Sequence, residues 1–408
     1  MPIATAAASP GLTTSGLRRV LSVLCVTEIT SWGILFYAFP VLAPEISQTT
    51  GWSTAWVVAA FSAGQVVAAL TGIPVGRWLD RRGPRSVMTA GSAVAVPAVV
   101  AVALAQNLVW FTVAWLLAGV AMGAVLYPPA FAALTRWYGP RRVFALTVLT
   151  LAAGLASTVF APLTALLTAH LDWRDTYLVL AAVLAVVTIP AHLWGLRGPW
   201  PAAEPPPGTQ PEHSDPARIA RSISFRGLVI AFSLAAFAVY AGVINLVPLL
   251  TERGVSGTTA AIALGLGGAG QVLGRLGYTT LTRLTTVRTR TAIVFGAAAV
   301  TTAVLGLITT TAGLIVAAIV AGMARGVFTL LQATAVADRW GATHYGRLNA
   351  LLQAPLTITV ALAPWAGAAI ASGLGGYSPT FLVLAAVTVA AAVLTLASTP
   401  RLLPGRTS

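Results

Sequence analysis

The sequence predicts an all-α membrane protein with twelve transmembrane helices arranged as two related six-helix bundles. Three observations carry that prediction. Of the 408 residues, 57% are apolar and only 8% are charged, against about 25% charged in an ordinary soluble domain. Lipid must therefore surround most side chains. Next, the chain holds twelve apolar runs, each close to the ~20 residues that cross a hydrocarbon core. Last, short stretches recur in the same order at a nearly constant offset of 203 to 206 residues.

The runs fall at residues 20–44, 54–76, 86–106, 109–134, 143–168, 176–196, 226–250, 258–281, 291–309, 313–336, 348–371 and 379–398. They are too long and too continuously apolar for barrel strands, so helices are the only spanning structure left. The first follows Arg18-Arg19. It is too long for a signal-peptide core and lacks a clear small-residue cleavage site, so it reads as an uncleaved first helix. Arg174 and Arg253 fall in loops after odd-numbered runs, and Arg275 and Arg325 fall inside runs. The other 24 − 4 = 20 arginines lie at the N-terminus, after even-numbered runs, or at the C-terminus. That 20-to-2 bias places both termini and the even loops in the cytoplasm of a cell with a cytoplasmic (inner) membrane.

The loop "GPWPAAEPPPGTQPEHSDPAR", Gly198 to Arg218, is rich in proline and poor in apolar residues. It reads as a flexible cytoplasmic linker. The domain reading is a cytoplasmic tail 1–17, a six-helix bundle 18–197, a linker 198–224, a second bundle 225–400 and a tail 401–408. "TYLVLAAV" at Thr176 returns as "TFLVLAAV" at Thr380, "GQV" at Gly64 returns at Gly270, and "AGVAMG" at Ala118 returns as "AGMARG" at Ala321. "RW" at Arg136 returns at Arg339. A six-helix unit is thus used twice in parallel orientation, with a site expected between the copies. Arg325, near the middle of the tenth run, occupies the position of Met122 in the first copy. The architecture alone therefore does not demand this charge, which costs several kcal/mol at a bilayer midplane unless it is paired or wet.

Composition also excludes function classes. A formal charge of +14 raises the question of nucleic acid, yet there is no lysine and the arginines lie between apolar runs rather than on one face. Nucleic acid is not an expected partner. The single Cys25 forms no intrachain disulfide framework. No His, Cys and acid cluster has metal-ligand spacing, and no GxxxxGK[ST] loop is present, so neither a metal, a cofactor nor an ATP-driven or enzymatic reaction is expected. His170, His192, His213 and His344 lie in loops or near helix ends, which argues against a histidine proton relay.

Between the second and third runs stands "GRWLDRRGPR", Gly76 to Arg85. Gly76 permits close helix approach, and Asp80 can accept from a helix N-terminus or an arginine. The stretch closely resembles the signature loop of the major facilitator superfamily, with Gly76, Asp80, Arg81 and Gly83 in the matching places. The twelve runs, central linker and duplicated half agree with that resemblance. It implies the major facilitator fold, no enzymatic activity, and a loop that latches the halves on the cytoplasmic face and breaks as they rock. The second copy, around "GYTTLTRLTTVR", keeps Arg283 and Arg288 but lacks the aspartate.

"FYAFPVLAPEI" in the first run resembles the "YAFP" segment of the monocarboxylate porters, and "WYGPRRVFAL" from Trp137 loosely follows their pattern. Those carriers place an aspartate four residues before a substrate-binding arginine in the eighth helix; Gln271 and Arg275 stand there here. The resemblance makes Arg275 a carboxylate contact. The lysine that follows "YAFP" in the lactate carriers is Val41. Proton coupling must then use another group, and Glu28 is the replacement. Glu28 has Ser31 and Trp32 at helical spacings, and Arg325 has Phe328, Thr329 and Gln332. The resemblance puts both helices on one central, water-filled cavity.

The expected function is a secondary active transporter that moves a small, monocarboxylate-like organic anion by alternating access, coupled to a proton or counter-ion. Arg325, Arg275, Gln271, Gln332, Tyr37, Tyr127 and Asn245 are the substrate candidates, Glu28 the proton-coupling group. The alternatives are efflux of a cationic or neutral drug, with Glu28 as the cation site, and a transporter-like ligand sensor. Glu28 and Arg325 can also be read as a structural ion pair, and Arg275 as an arginine that snorkels to the interface. The expected partners are the small-molecule substrate, a proton or counter-ion and the lipid bilayer, with the chain acting as a monomer.

Overall fold

The computed structural model describes residues 12–201 and 215–397. The two tails beyond these limits and the centre of the linker, with His213, lie outside the described residues. Each of the twelve apolar runs is helical over most of its described length, and no strand occurs among the described residues. In chain order α1 is Thr14–Thr50, α2 Thr54–Arg82, α3 Pro84–Ala103, α4 Leu108–Val125 continued by Tyr127–Tyr138, and α5 Arg142–Ala153 continued by Ala156–Thr168. Then come α6 Trp173–Gly195, α7 Ile223–Ile244 continued by Leu246–Glu252, α8 Gly257–Leu284, α9 Val287–Leu307, α10 Thr311–Trp340, α11 Tyr345–Leu374 and α12 Tyr377–Ala397.

By length and apolarity alone, nine helices among the described residues qualify to cross a membrane, or ten when the bent α11 counts as one span. One of the nine, Leu108–Thr168, runs 61 residues and contains both α4 and α5. The long helix outside that set is α8, which carries seven glycines and two arginines. The starts are written in the sequence. Ser53, Asn107, Asp172, Ser222, Ser256 and Thr286 each accept from a backbone N–H in the first turn of α2, α4, α6, α7, α8 and α9, which satisfies donors the helix itself cannot. The break in α4 falls at Leu126, just ahead of Tyr127-Pro128-Pro129, where proline cannot accept the preceding helical geometry.

The chain divides into two compact units. Unit 1 comprises Met1–Thr209 with Ala342–Arg347, and unit 2 comprises Gln210–Gly341 with Leu348–Ser408. Their internal packing is alike: α2 lies along α4 in unit 1 as α8 lies along α10 in unit 2, and α3 packs on α6 as α9 packs on α12. The α2–α4 and α8–α10 seams are so close that backbone meets backbone. A Cβ on Gly119 would strike the carbonyl of Gly64, and a Cβ on Gly322 the carbonyl of Gly267. Small residues that admit such an approach substitute for the missing hydrophobic drive between helices in lipid. Of the six glycines inside α8 beyond its first residue, Gly267, Gly270 and Gly274 face α10 carbonyls, whereas Gly265, Gly268 and Gly277 meet open space.

In each unit, an acid and an arginine tie helix termini together. Glu45 accepts from Trp173 N at 3.0 Å, at the start of α6, and Glu252 accepts from Tyr377 N at 2.7 Å, at the start of α12. Arg174 donates to Ala103 O at 2.6 Å, the last residue of α3. Arg253 donates to Leu305 O at 2.8 Å and Gly306 O at 2.5 Å in the last turn of α9, and also to Ile308 O. Burial pushes the Arg253 guanidinium below the ordinary arginine range, while neighbouring Glu252 raises it. The two arginines that break the 20-to-2 bias thus cap helix C-termini, where orphan carbonyls and the helix dipole favour a cation.

Candidate functional site

In unit 2 the site is built on the α8–α10 seam. Arg325 Nε donates to Gln271 Oε1 at 3.2 Å, and its terminal nitrogen reaches Gly267 O at 3.5 Å. The close seam makes this possible, because Gly326 and Gly322 bring α10 onto the α8 backbone. Arg325 also lines a cavity of about 40 Å³ shared with Thr301, Thr302 and Phe381, room for a water molecule or two. The midplane charge is therefore held by polar atoms of its neighbouring helix and borders a small cavity in the same bundle.

The face expected from spacing does not stay together. Phe328 is buried between Phe232 and Phe295, 5.6 Å from each, while Gln332 Nε2 donates to Gln353 Oε1 at 2.6 Å. Thr329 bonds back to Arg325 O. Arg275 is 5% exposed and buried within the unit, so it does not snorkel to an interface. Asn245 sits at the break between the two pieces of α7, donates to Ala241 O at 2.9 Å, and packs against Gly367 of α11. It serves packing there rather than an open wall.

In unit 1 the candidate residues gather around a turn of π-helix, Gly33–Tyr37, inserted in α1. Such turns often mark functional places in helices. Gly33 is required there because a Cβ would enter the ring of Phe160. Trp32 lies 5.0 Å from Tyr127 and 6.4 Å from Tyr37, and Tyr127 stacks on Phe131 at 4.8 Å. Trp32, Tyr37 and Tyr127 are half-buried. Glu28 and Ser31 depart from the expected polar lining: both are fully buried. The reason is the packing of α1 against α5 and α6, which encloses that turn. The Trp32 indole is the one side-chain hydrogen-bond neighbour of the Glu28 carboxylate among the described residues, and Ser31 Oγ has no partner among them.

At one end of unit 1, Asp80 accepts from Gly346 N at 3.0 Å and Arg347 N at 2.8 Å, the first turn of α11. Its carboxylate therefore sits on the free N–H groups and positive end of a helix. Gly76 lies under the same contact, since a Cβ on Gly346 would meet Gly76 O at 2.8 Å. Gly83 makes the turn with φ 77°, a region that favours glycine. Arg81 is exposed and takes no part. The arginine of the cluster is Arg136 on α4, which donates to Asp80 O at 3.1 Å; sequence reading missed it, although its return as Arg339 was the signal. The second copy has its own ion pair in a different place. Arg290 and Asp338 bond at 2.6 Å with both side chains buried, and Arg339 donates to Thr291 Oγ1 at 3.1 Å. A second residue missed is His192, buried in the last turn of α6 and 2.8 Å from Ser92 Oγ.

The family model described as Major Facilitator Superfamily matches residues 21–314. The chain belongs to that superfamily. Human Monocarboxylate transporter 11 is 31% identical over 246 residues, covering 59% of this chain and 50% of that protein. Bovine Monocarboxylate transporter 13 is 27% identical over 267 residues, covering 62% and 57%. The chain thus matches about half the length of these curated relatives. Among solved structures, the E. coli fucose:proton symporter FucP superposes with a TM-score of 0.73 over 93% of this chain and 98% of that one, at 14% identity. The human organic anion transporter MFSD10 gives 0.72 over 93% and 99%, at 16% identity. At such identities the likeness shows the fold alone, which is the all-helical fold of that superfamily.

Proposed function

We propose that the protein is a secondary active transporter for a small, monocarboxylate-like organic anion, working by alternating access and coupled to protons through Glu28. The observation that carries this reading is Arg325, a lone guanidinium in the middle of an apolar helix, held in the α8–α10 seam by Gln271. Gln271 accepts at Nε, the stem side of the group, and so sets the plane in which the fork can meet a carboxylate bidentately. Buried Arg275 one turn along α8 supplies a second positive centre. Gln332, on the same helix as Arg325, provides a further polar contact in unit 2. The monocarboxylate transporters among the relatives support the substrate class.

Glu28 is fully buried with the Trp32 indole beside its carboxylate and no ion pair, and an ionised carboxylate enclosed in that way costs far more than a neutral one. It is the group to which this reading assigns the coupled proton, exchanged when water reaches the π turn. Asp80 on the α11 N-terminus is the latch of this conformation. The chain lies in the cytoplasmic membrane with both termini and the linker on the cytoplasmic side. A second reading has one observation in its favour: Glu28 neighbours the half-buried aromatic wall of Trp32, Tyr37 and Tyr127, a setting that suits a lipophilic cation.

Purified protein in liposomes decides between them. Uptake of radiolabelled lactate-sized monocarboxylates, stimulated by an imposed proton gradient and abolished by Glu28→Gln, is expected. Uptake of lipophilic cations without monocarboxylate movement would replace the proposal with the second reading. Cysteines placed at 203–214 in a Cys25→Ala background should react with impermeant maleimide only in opened cells; labelling of intact cells would overturn the orientation.

A further inference from the structure

The central linker begins with a residue that the latch does not obviously need. Trp200 follows Gly198-Pro199 and is half-buried. Its indole Nε1 donates to Asp80 O at 3.2 Å. Its ring lies on the turn at Gly83, where a Cβ would come within 3.1 Å of Trp200 Cγ. The Arg136 guanidinium stands 4.7 Å from the ring centroid, and Trp137 meets the ring edge-on at 5.5 Å. Trp137 in turn donates its own Nε1–H to Pro199 O at 3.1 Å. All of these residues belong to unit 1.

The backbone explains why this matters. Asp80 lies in the last turn of α2, so its carbonyl has no acceptor role inside the helix. Two donors from outside the helix take it, Trp200 Nε1 and Arg136. The same residue's carboxylate grips the amides of Gly346 and Arg347. Fixing the carbonyl and the Gly83 turn therefore fixes where the carboxylate points. We propose that Trp200 is a positioning residue of the Asp80 latch, so that the first residues of the central linker form part of the gate. The chemistry is that of an indole clamp: one N–H on an orphan carbonyl, and a ring that meets both a guanidinium and a glycine turn with no side chain to hold it off. A pull on, or a modification of, the linker then reaches the α11 N-terminus through one side chain.

The inference rests on Asp80 acting as a latch, and the test separates the two. Hydrogen–deuterium exchange of the full chain in lipid nanodiscs reads the Gly346 and Arg347 amides directly. Asp80→Asn should speed their exchange, and Trp200→Ala should speed it by about tenfold, the combined worth of a hydrogen bond and an exposed cation–π contact. Trp200→Phe keeps the ring on Gly83 and Arg136 and loses only the N–H, so it should fall between wild type and alanine. In the double variant, Trp200→Ala should add nothing to Asp80→Asn. Transport by Trp200→Ala should change in maximal rate with KM held within about threefold, because the clamp acts on a conformational equilibrium and not on the site. Trp200→Phe carries the test if the alanine variant fails to fold. Faster exchange in Asp80→Asn with unchanged exchange at Gly346 and Arg347 in both Trp200 variants overturns the clamp and leaves the latch standing. Unchanged exchange in Asp80→Asn removes the latch, and the clamp with it.

Discussion

The α2–α4 seam and the α8–α10 seam are the same piece of architecture used twice, and at the contact made by Gln65 and Gln271 they differ by one charge. In the first, Gln65 Nε2 donates to Met122 Sδ at 3.5 Å; in the second, the equivalent Gln271 accepts from Arg325 at 3.2 Å. The glycines, the backbone approach and the glutamine are common to both. Only a side chain that is both donor and acceptor could serve a thioether in one copy and a guanidinium in the other. The seam therefore belongs to the fold, and the proposed function is what assigns a role to the arginine. A structural need for Arg325 would have to be met some other way in the first copy, and Met122, 1% exposed, meets none.

The two ends of the seams differ as well, and this gives the largest expected effect. Unit 1 keeps its acid, Asp80, on the α11 N-terminus, whereas unit 2 buries Asp338 against Arg290 with side chains 7% and 5% exposed. Asp338→Ala leaves Arg290 enclosed without this carboxylate beside Tyr278, and should cost about 3–5 kcal/mol of stability, as breaking a buried pair does. Asp80→Asn, at a contact made to backbone amides, should cost far less stability and instead slow transport. Melting curves of the two variants check this. Equal losses would show that the two acids do the same job and that the comparison fails.

Arg325 comes next. Arg325→Lys keeps the charge but cannot reproduce the planar two-pronged contact, so monocarboxylate binding should weaken by about 100-fold, in the range of a charge-assisted bidentate pair. Arg325→Met, which copies the first repeat, should fold and insert yet lose anion binding, measured by thermal shift against carboxylates. If Arg325 and Glu28 form a structural pair in some state of the cycle, Glu28→Gln/Arg325→Met should recover uptake that Arg325→Met loses. Recovery of that kind would remove the arginine from the substrate site.

How much of this was legible in the sequence follows from the range of each signal. Helix positions rest on local apolar runs and caps such as Ser53 and Asn107, and they read directly. The repeat was visible because Gly64 and Gly119 recur as Gly270 and Gly322, and backbone contact leaves those positions no alternative residue. The spacing of Glu28, Ser31 and Trp32 correctly placed them on neighbouring turns but could not say which side α5 and α6 would cover. Arg136, Asp338 and Trp200 were not legible as parts of a cluster, because each acts through a tertiary contact 48 to 120 residues distant in the chain. Arg174 and Arg253 carried a signal of another kind: as exceptions to the charge bias they needed a local reason, and the helix ends they cap supply it.

The smallest expected effect is also the sharpest use of the repeat. Gln65→Leu removes only a weak donor-to-thioether contact, since sulfur is a poor acceptor. Stability should change by no more than about 0.5 kcal/mol, the level of an ordinary surface substitution, and anion binding should be untouched. Gln271→Leu removes the acceptor that orients Arg325, and a net hydrogen bond to a charged group is worth about 1.5–3 kcal/mol. Part of that loss should appear in binding, because the guanidinium loses its set plane while keeping its charge. Gln271→Glu separates orientation from charge: it holds the plane but neutralises the guanidinium, so the anion should bind worse than in Gln271→Leu. Titration of the three variants with one monocarboxylate orders them. If Gln65→Leu and Gln271→Leu weaken binding alike, the glutamines act through the seams they share, and the second copy has not been specialised around its arginine.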